Sequence, residues 1–172
     1  MILILGTAAW AHNSKAWQER LDARTATLWI EGQDIGDGIV LNSRGELNVT
    51  WIERGLVRYL NRDRDVEEWV FDSLNYYSSN RKDTQAKVKG RDVLVLRFRA
   101  VKYWNFSPTK LVVGDYSVTS DDILTKREYW DQGELTPGHV GIVAVCVPSF
   151  KAGQKIDLSY EDSLTVFEVP AK

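Results

Sequence analysis

The sequence predicts an α+β protein. A mixed helical and short-strand part, residues 1–90, packs on an antiparallel β-rich part, residues 91–172, and the two form one compact domain. Three observations carry this expectation. Apolar residues recur at helical spacing through Trp51–Leu60 and Val66–Tyr77. From Asp92 onward the apolar period is two. No strand–helix–strand alternation runs along the chain, which argues against a parallel doubly wound sheet. With 172 residues the chain is long enough for one sizeable core.

The chain opens on Ile2–Ala11 (ILILGTAAWA), an apolar run too short to span a bilayer. No basic stretch precedes it, although Ala9-Trp10-Ala11 has the look of a cleavage site. It reads as a buried strand or as an arm that docks on a neighbour, with the tail of a membrane segment as the third option. Ser14 is placed to cap a short helix, Lys15–Arg24, which carries Ala16, Trp17 and Leu21 on one face. Thr25–Glu31 is rich in β-formers and reads as a strand. Gly32–Gly38 reads as a turn, because its glycines match neither the GxGxxG nor the GxxxxGK[ST] spacing. Ile39–Asn42 is a second short strand, closed by the turn Ser43-Arg44-Gly45. Asn48–Leu60 is expected to be a helix, with Trp51, Ile52, Leu56, Tyr59 and Leu60 on one face and Thr50 and Glu53 as a capping box. Gly55 inside it would cost about 1 kcal/mol relative to Ala and so marks a close packing point. A second helix follows Asp65, with Val66, Trp69, Val70, Ser73, Leu74 and Tyr77 turned inward and Glu67 and Glu68 in the first turn, where the helix dipole favours acid. Ser78–Gly90 is polar and reads as a linker, the best boundary candidate in the chain.

Asp92–Thr119 reads as a hairpin of two long strands around the turn Asn105–Thr109. Leu94, Leu96, Phe98 and Ala100 form one face of its first strand. Arg97 and Arg99 sit on the opposite, mixed face, as in an antiparallel sheet with one wet side. Ile123–Trp130 is a further strand candidate. His139–Pro148 is apolar on both faces and is expected at the centre of the sheet, over Val140–Val147. Lys155–Tyr160 and Leu164–Val169 form the last hairpin.

Composition narrows the function. The net charge is −2, with no basic excess, so nucleic acid is not an expected partner. The charge-rich run Arg58–Glu68 mixes signs and reads as solvated surface. The single Cys146 excludes an intrachain disulfide and, between Val145 and Val147, reads as a buried thiol. His12 and His139 are the only histidines, and no GxSxG, HExxH, CxxC or P-loop motif is present. No catalytic residue, cofactor or metal site is assigned, and the reading is non-enzymatic. Asp115, Asp121, Asp122, Glu128, Asp131 and Glu134 would suit Ca²⁺ or a hydrolase if their loops met, and they read as solvated loop acids otherwise. Asn48-Val49-Thr50 and Asn105-Phe106-Ser107 match the glycosylation pattern, which arises often by chance.

The most specific surface signal is aromatic. The chain holds seven Trp, seven Tyr and five Phe. Tyr103, Trp104 and Phe106 lie at one strand end, and Tyr129 and Trp130 at another, each beside Asn, Asp or Gln. Consecutive rings cannot all face one core, so at least one of each group is expected at the rim. These five are the candidate binding residues, suited to a protein interface or to stacking on a sugar ring.

Two family resemblances follow from segments already quoted. The last eighty residues, through their succession of strands and the phrase GELTPGHVGIVAVCVP, resemble Ig-like β-sandwich domains of extracytoplasmic proteins. The order of apolar segment, strand, Trp51–Tyr77 helices and late antiparallel sheet is similar to the NTF2-like assembly proteins of type IV secretion machines, without that family's Asn-Pro near the C-terminal strands. The resemblances imply a sandwich-like or NTF2-like fold and no site residue. Together the observations favour a structural or protein-interaction subunit of a larger assembly, such as a virion or a secretion system, in an extracytoplasmic or virion setting. Its partners are expected to be other protein subunits, with self-association through the apolar arm, and contact with a membrane is left open. The alternative is a carbohydrate- or small-ligand-binding β-module that uses the exposed aromatics.

Overall fold

The computed structural model of the protein describes residues 17–36, 39–56 and 66–170. They form a mixed α/β fold with antiparallel sheets in which strands predominate. Residues 17–22 are helical (α1). There follow β1 (Thr25–Ile30), β2 (Gln33–Asp34), β3 (Val40–Leu41) and β4 (Gly45–Ile52), then α2 (Glu68–Ser78) and α3 (Lys82–Val88). The remaining strands are β5 (Arg91–Ala100), β6 (Trp104–Phe106), β7 (Leu111–Val113), β8 (Tyr116–Ser117), β9 (Gly133–Leu135), β10 (Val140–Pro148), β11 (Lys155–Tyr160) and β12 (Ser163–Glu168).

Sheet 1 has the order β1-β4-β5-β10 and sheet 2 the order β12-β11-β7-β8, with all neighbours antiparallel. Two small ladders, β2-β3 and β6-β9, stand beside them. Strand alternation explains the core. Leu28, Leu47, Leu96 and Val143 turn to the inner face of sheet 1, while Leu111, Ile156, Leu158 and Phe167 come from sheet 2, and all belong to one buried cluster. Each such side chain contributes roughly 1.5–3 kcal/mol by leaving water. Aromatic rings fill one end of this cluster and dictate glycine at two sites. A Cβ on Gly45 would lie 2.5 Å from the Trp104 ring, and one on Gly141 would lie 2.3 Å from Phe98.

A second cluster lies on the outer face of sheet 1. Trp17 and Leu21 of α1, Val70 and Leu74 of α2, and Val88 of α3 cover Ile52, Val93, Val95 and Ala144. The Tyr77 hydroxyl closes this layer at the end of the β4–β5 ladder. It donates to the Ile52 carbonyl at 2.6 Å and accepts from the Val93 N–H at 2.9 Å. Burial pushes its ionisation well above the usual tyrosine range. No helix among the described residues is long and apolar enough to cross a membrane.

Several expectations need correction. Residues 48–52 are strand, not helix, and only Arg54–Leu56 turns, as a short 3-10 segment. Trp51 and Ile52 are both buried, but on opposite faces of β4, so two separate cores mimic one helical stripe. The stretch expected as a linker, residues 78–90, holds α3, and Val88 anchors it. Sheet 1 therefore draws β1 and β4 from before residue 90 and β5 and β10 from after it. The expected Asp92–Thr119 hairpin is not formed, because β5 and β7 belong to different sheets, with β6 between them in the chain. Ile123–Trp130 is not a strand. Ile123 makes one bridge to Val145, and Arg127–Tyr129 is a 3-10 turn. Residues 140–148 occupy an edge of sheet 1, not its centre. Over Val143–Val147 both faces are buried, because Ala144 lies under the helices and Val143, Val145 and Val147 enter the core shared with sheet 2. Ile2–Ala11, His12, the Ser14 cap, Tyr59, Leu60 and Asp65 lie outside the described residues.

Candidate binding surface

The five aromatic candidates divide by alternation. In β6, Trp104 and Phe106 are two apart, share a face and are buried, while Tyr103 just before them is 60% exposed. Trp104 and Phe106 pack with Phe98 and Tyr160, with Phe98 stacked on Phe106 at 3.9 Å between centroids. Trp130 is also buried, edge-on to Phe106, and Tyr129 is 69% exposed. Each group thus has one ring at the rim, Tyr103 in the first and Tyr129 in the second, while Trp104, Phe106 and Trp130 build the core.

The acidic loop positions separate in the same way. Asp122 is buried and accepts from the Thr119 N–H, the Thr119 hydroxyl, the Tyr116 hydroxyl and Arg91, all within 2.9 Å. Burial alone would raise its carboxyl, but these donors outweigh it and hold the group below its ordinary value. Arg91 also donates to the Cys146 carbonyl, and its guanidinium is held above the ordinary value by Asp122 in spite of partial burial. Cys146 is buried, and burial raises its thiol. Among the described residues no three or more His, Cys, Asp or Glu side chains gather as a metal site. His139 sits 3.2 Å from Asp131 at the start of β10.

This knot seals one half of the β10 edge. The Ala144 carbonyl accepts from the Leu124 N–H, and the Ala144 N–H donates to the Thr125 hydroxyl, each at 2.8 Å. Alternation along β10 points the N–H and C=O of Ile142 and Val140 to the same side as those of Ala144, away from β5. Among the described residues nothing meets those outward groups, and the Val140 and Ile142 side chains are 65% and 39% exposed. An uncovered apolar edge of this kind is a template for another chain.

The outer face beside that edge is open as well. Two rows of residues cross sheet 1 there, Thr27–Asn48–Arg97–Ile142 and Trp29–Glu46–Arg99–Val140. The Thr27 hydroxyl donates to Asn48 Oδ1 at 2.7 Å, and Asn48 Nδ2 donates to Glu46 Oε1 at 2.9 Å. Arg99 holds the other Glu46 oxygen at 2.6 Å. Arg97 is half-buried, and its guanidinium lies 4.7 Å over the Trp69 ring. It makes no ion pair or hydrogen bond among the described residues. The Trp69 indole is in turn held by its N–H to Glu67. A groove of about 550 Å³ runs over Asn48, Arg97 and Arg99 to Val140, Gly141 and Ile142.

The alternation of β5 makes the two arginines of the open face visible in the sequence. The stacking of Arg97 on Trp69 is not visible, because the two residues are brought together by a helix packed on a sheet. Glu46 and Asn48 are missed because the segment from Asn48 carries a helical pattern. No family model matches the chain, and no curated protein or solved structure matches it.

Proposed function

We propose that the protein is a non-enzymatic interaction subunit of a larger protein assembly, of the virion or secretion-machine kind, and that it meets its partners on the open half of sheet 1. The observation that carries this reading is the uncovered Val140–Ile142 edge, with exposed apolar side chains, beside a polar groove. The arrangement reads as sandwich-like rather than NTF2-like, supported by two antiparallel sheets that share one buried cluster. Self-association through Ile2–Ala11 is part of the proposal. The alternative of a carbohydrate-binding module would have to rest on Tyr103 and Tyr129, and no further observation favours it.

Light scattering of the full chain over a wide concentration range tests the reading. The expected outcome is a mass that rises above the monomer with concentration. It should fall back when Ile142→Lys places a charge on the edge, and also when residues 1–11 are deleted. A monomer at every concentration, indifferent to both changes, contradicts the assembly role.

A further inference from the structure

We propose that the groove on the open half of sheet 1 takes an extended segment of a partner protein that carries a carboxylate, with the carboxylate reaching Arg97 across Ile142 and an apolar side chain two residues further on beside Val140. The inference rests on the interaction reading above and names the chemistry of the partner.

The three arginines of β5 make the case. Arg91 spends its guanidinium on Asp122, Tyr116 and the Cys146 carbonyl. Arg99 spends its charge on Glu46. Arg97 stands between them in sequence with no carboxylate, although it is half-buried with its guanidinium carbon 4.7 Å from the Trp69 ring centroid. A guanidinium fixed on an aromatic ring keeps its in-plane N–H donors, and their fork geometry matches a carboxylate bidentately. Glu46 does not compete for it, because both of its oxygens are occupied by Asn48 and Arg99. Among the charged residues of the groove, Arg97 and Arg99 face a single acid, Glu46, so one positive charge is in excess.

The rest of the groove selects an extended chain over a free anion. Val140 and Ile142 offer unmet outward N–H and C=O groups together with apolar side chains in the same groove. An added antiparallel strand satisfies such groups, and its side chains two residues apart share a face, about 7 Å from one another. A segment with an acidic residue followed two positions later by an apolar one therefore fits. Its backbone pairs antiparallel with β10, its acid lies in the row of Ile142 and Arg97, and its apolar side chain lies beside Val140.

The test titrates the full chain with the capped peptide Ac-Glu-Thr-Val-Thr-NH2, with its Gln counterpart, with sodium acetate and with inorganic phosphate. Binding is read by calorimetry and by the NMR shift of the Arg97 Nε–H. The expected result is saturable binding of the Glu peptide, at least about tenfold tighter than the Gln peptide. Arg97→Gln should abolish that discrimination. Ile142→Pro, which removes an outward N–H from the edge, should weaken both peptides while the Arg97 Nε–H signal stays in place. The Glu/Gln comparison on the unaltered protein needs no variant to fold. Equal binding of the two peptides, or no saturable binding, overturns the proposal. Acetate or phosphate binding as tightly as the Glu peptide overturns the extended-segment part and makes this a small-anion site. Assembly in light scattering without peptide discrimination sinks this inference and leaves the interaction reading standing. A strictly monomeric chain that discriminates the peptides supports the inference and removes self-assembly.

Discussion

The two halves of the outer face of sheet 1 are built on the same three strands and finish differently. At one end, Ile52 of β4, Val93 and Val95 of β5 and Ala144 of β10 are apolar and lie under three helical segments. At the other end, the same alternation delivers Glu46 and Asn48, Arg97 and Arg99, and the exposed Ile142 and Val140. The edge of β10 changes character at the same place. Its backbone is closed from Ala144 onward by Leu124, Thr125 and Arg91, and open at Ile142 and Val140. One half of the face therefore serves stability. The other carries a charged ladder and an uncovered edge whose contribution to stability is small.

Perturbing the sealed half should cost most. Asp122→Asn strips the ionic partner from Arg91 and loosens the cover of the β10 edge, and an expected loss of about 4 kcal/mol would show in urea unfolding. The same residue gives a pH dependence. Folded Asp122 titrates below its ordinary value of 3.8. Its stabilisation is complete above that value and is lost as pH falls through the lowered one. Acid titration of stability should accordingly be shallower below pH 3.8 in Asp122→Asn than in the unaltered protein. Leu74→Ala leaves a hole under α2 and should cost about 3 kcal/mol by the same unfolding measurement. Tyr77→Phe removes the hydroxyl that serves Ile52 and Val93, at an expected cost of about 2 kcal/mol. Arg97→Gln is the contrast. It loses only the contact with Trp69, so stability should change by less than about 1 kcal/mol while the preference for an acidic segment disappears. A loss from Arg97→Gln as large as that from Leu74→Ala would erase the distinction between the two halves.

Where one face of an element alone is buried, its pattern is legible in the sequence. β1, β11, β12 and α2 fall close to where periodicity puts them, and the inward stripe of α2 includes the buried Val70, Ser73 and Leu74. β4 is not legible, because Val49 and Trp51 enter one core and Ile52 another, and a strand buried twice loses its alternation. β10 misleads for the same reason: apolar faces on both sides suggest a central strand, whereas the chain covers an edge with a loop held by Asp122. The aromatic runs point outward only at Tyr103 and Tyr129, because alternation in β6 sends both Trp104 and Phe106 inward. Half of the candidate surface was in view, since Arg97 and Arg99 share the wet face of β5. Its other half, the Trp69 ring and the open edge, depends on packing between distant segments.

Amide hydrogen exchange along β10 in the monomer tests the central division most directly. The account predicts slow exchange for Ala144, whose N–H is held by Thr125, and for Gly141 and Val143, whose N–H groups alternation turns toward β5, against fast exchange for Val140 and Ile142. Protection of Ile142 equal to that of Ala144 would mean that the edge is already covered, and would contradict an open half.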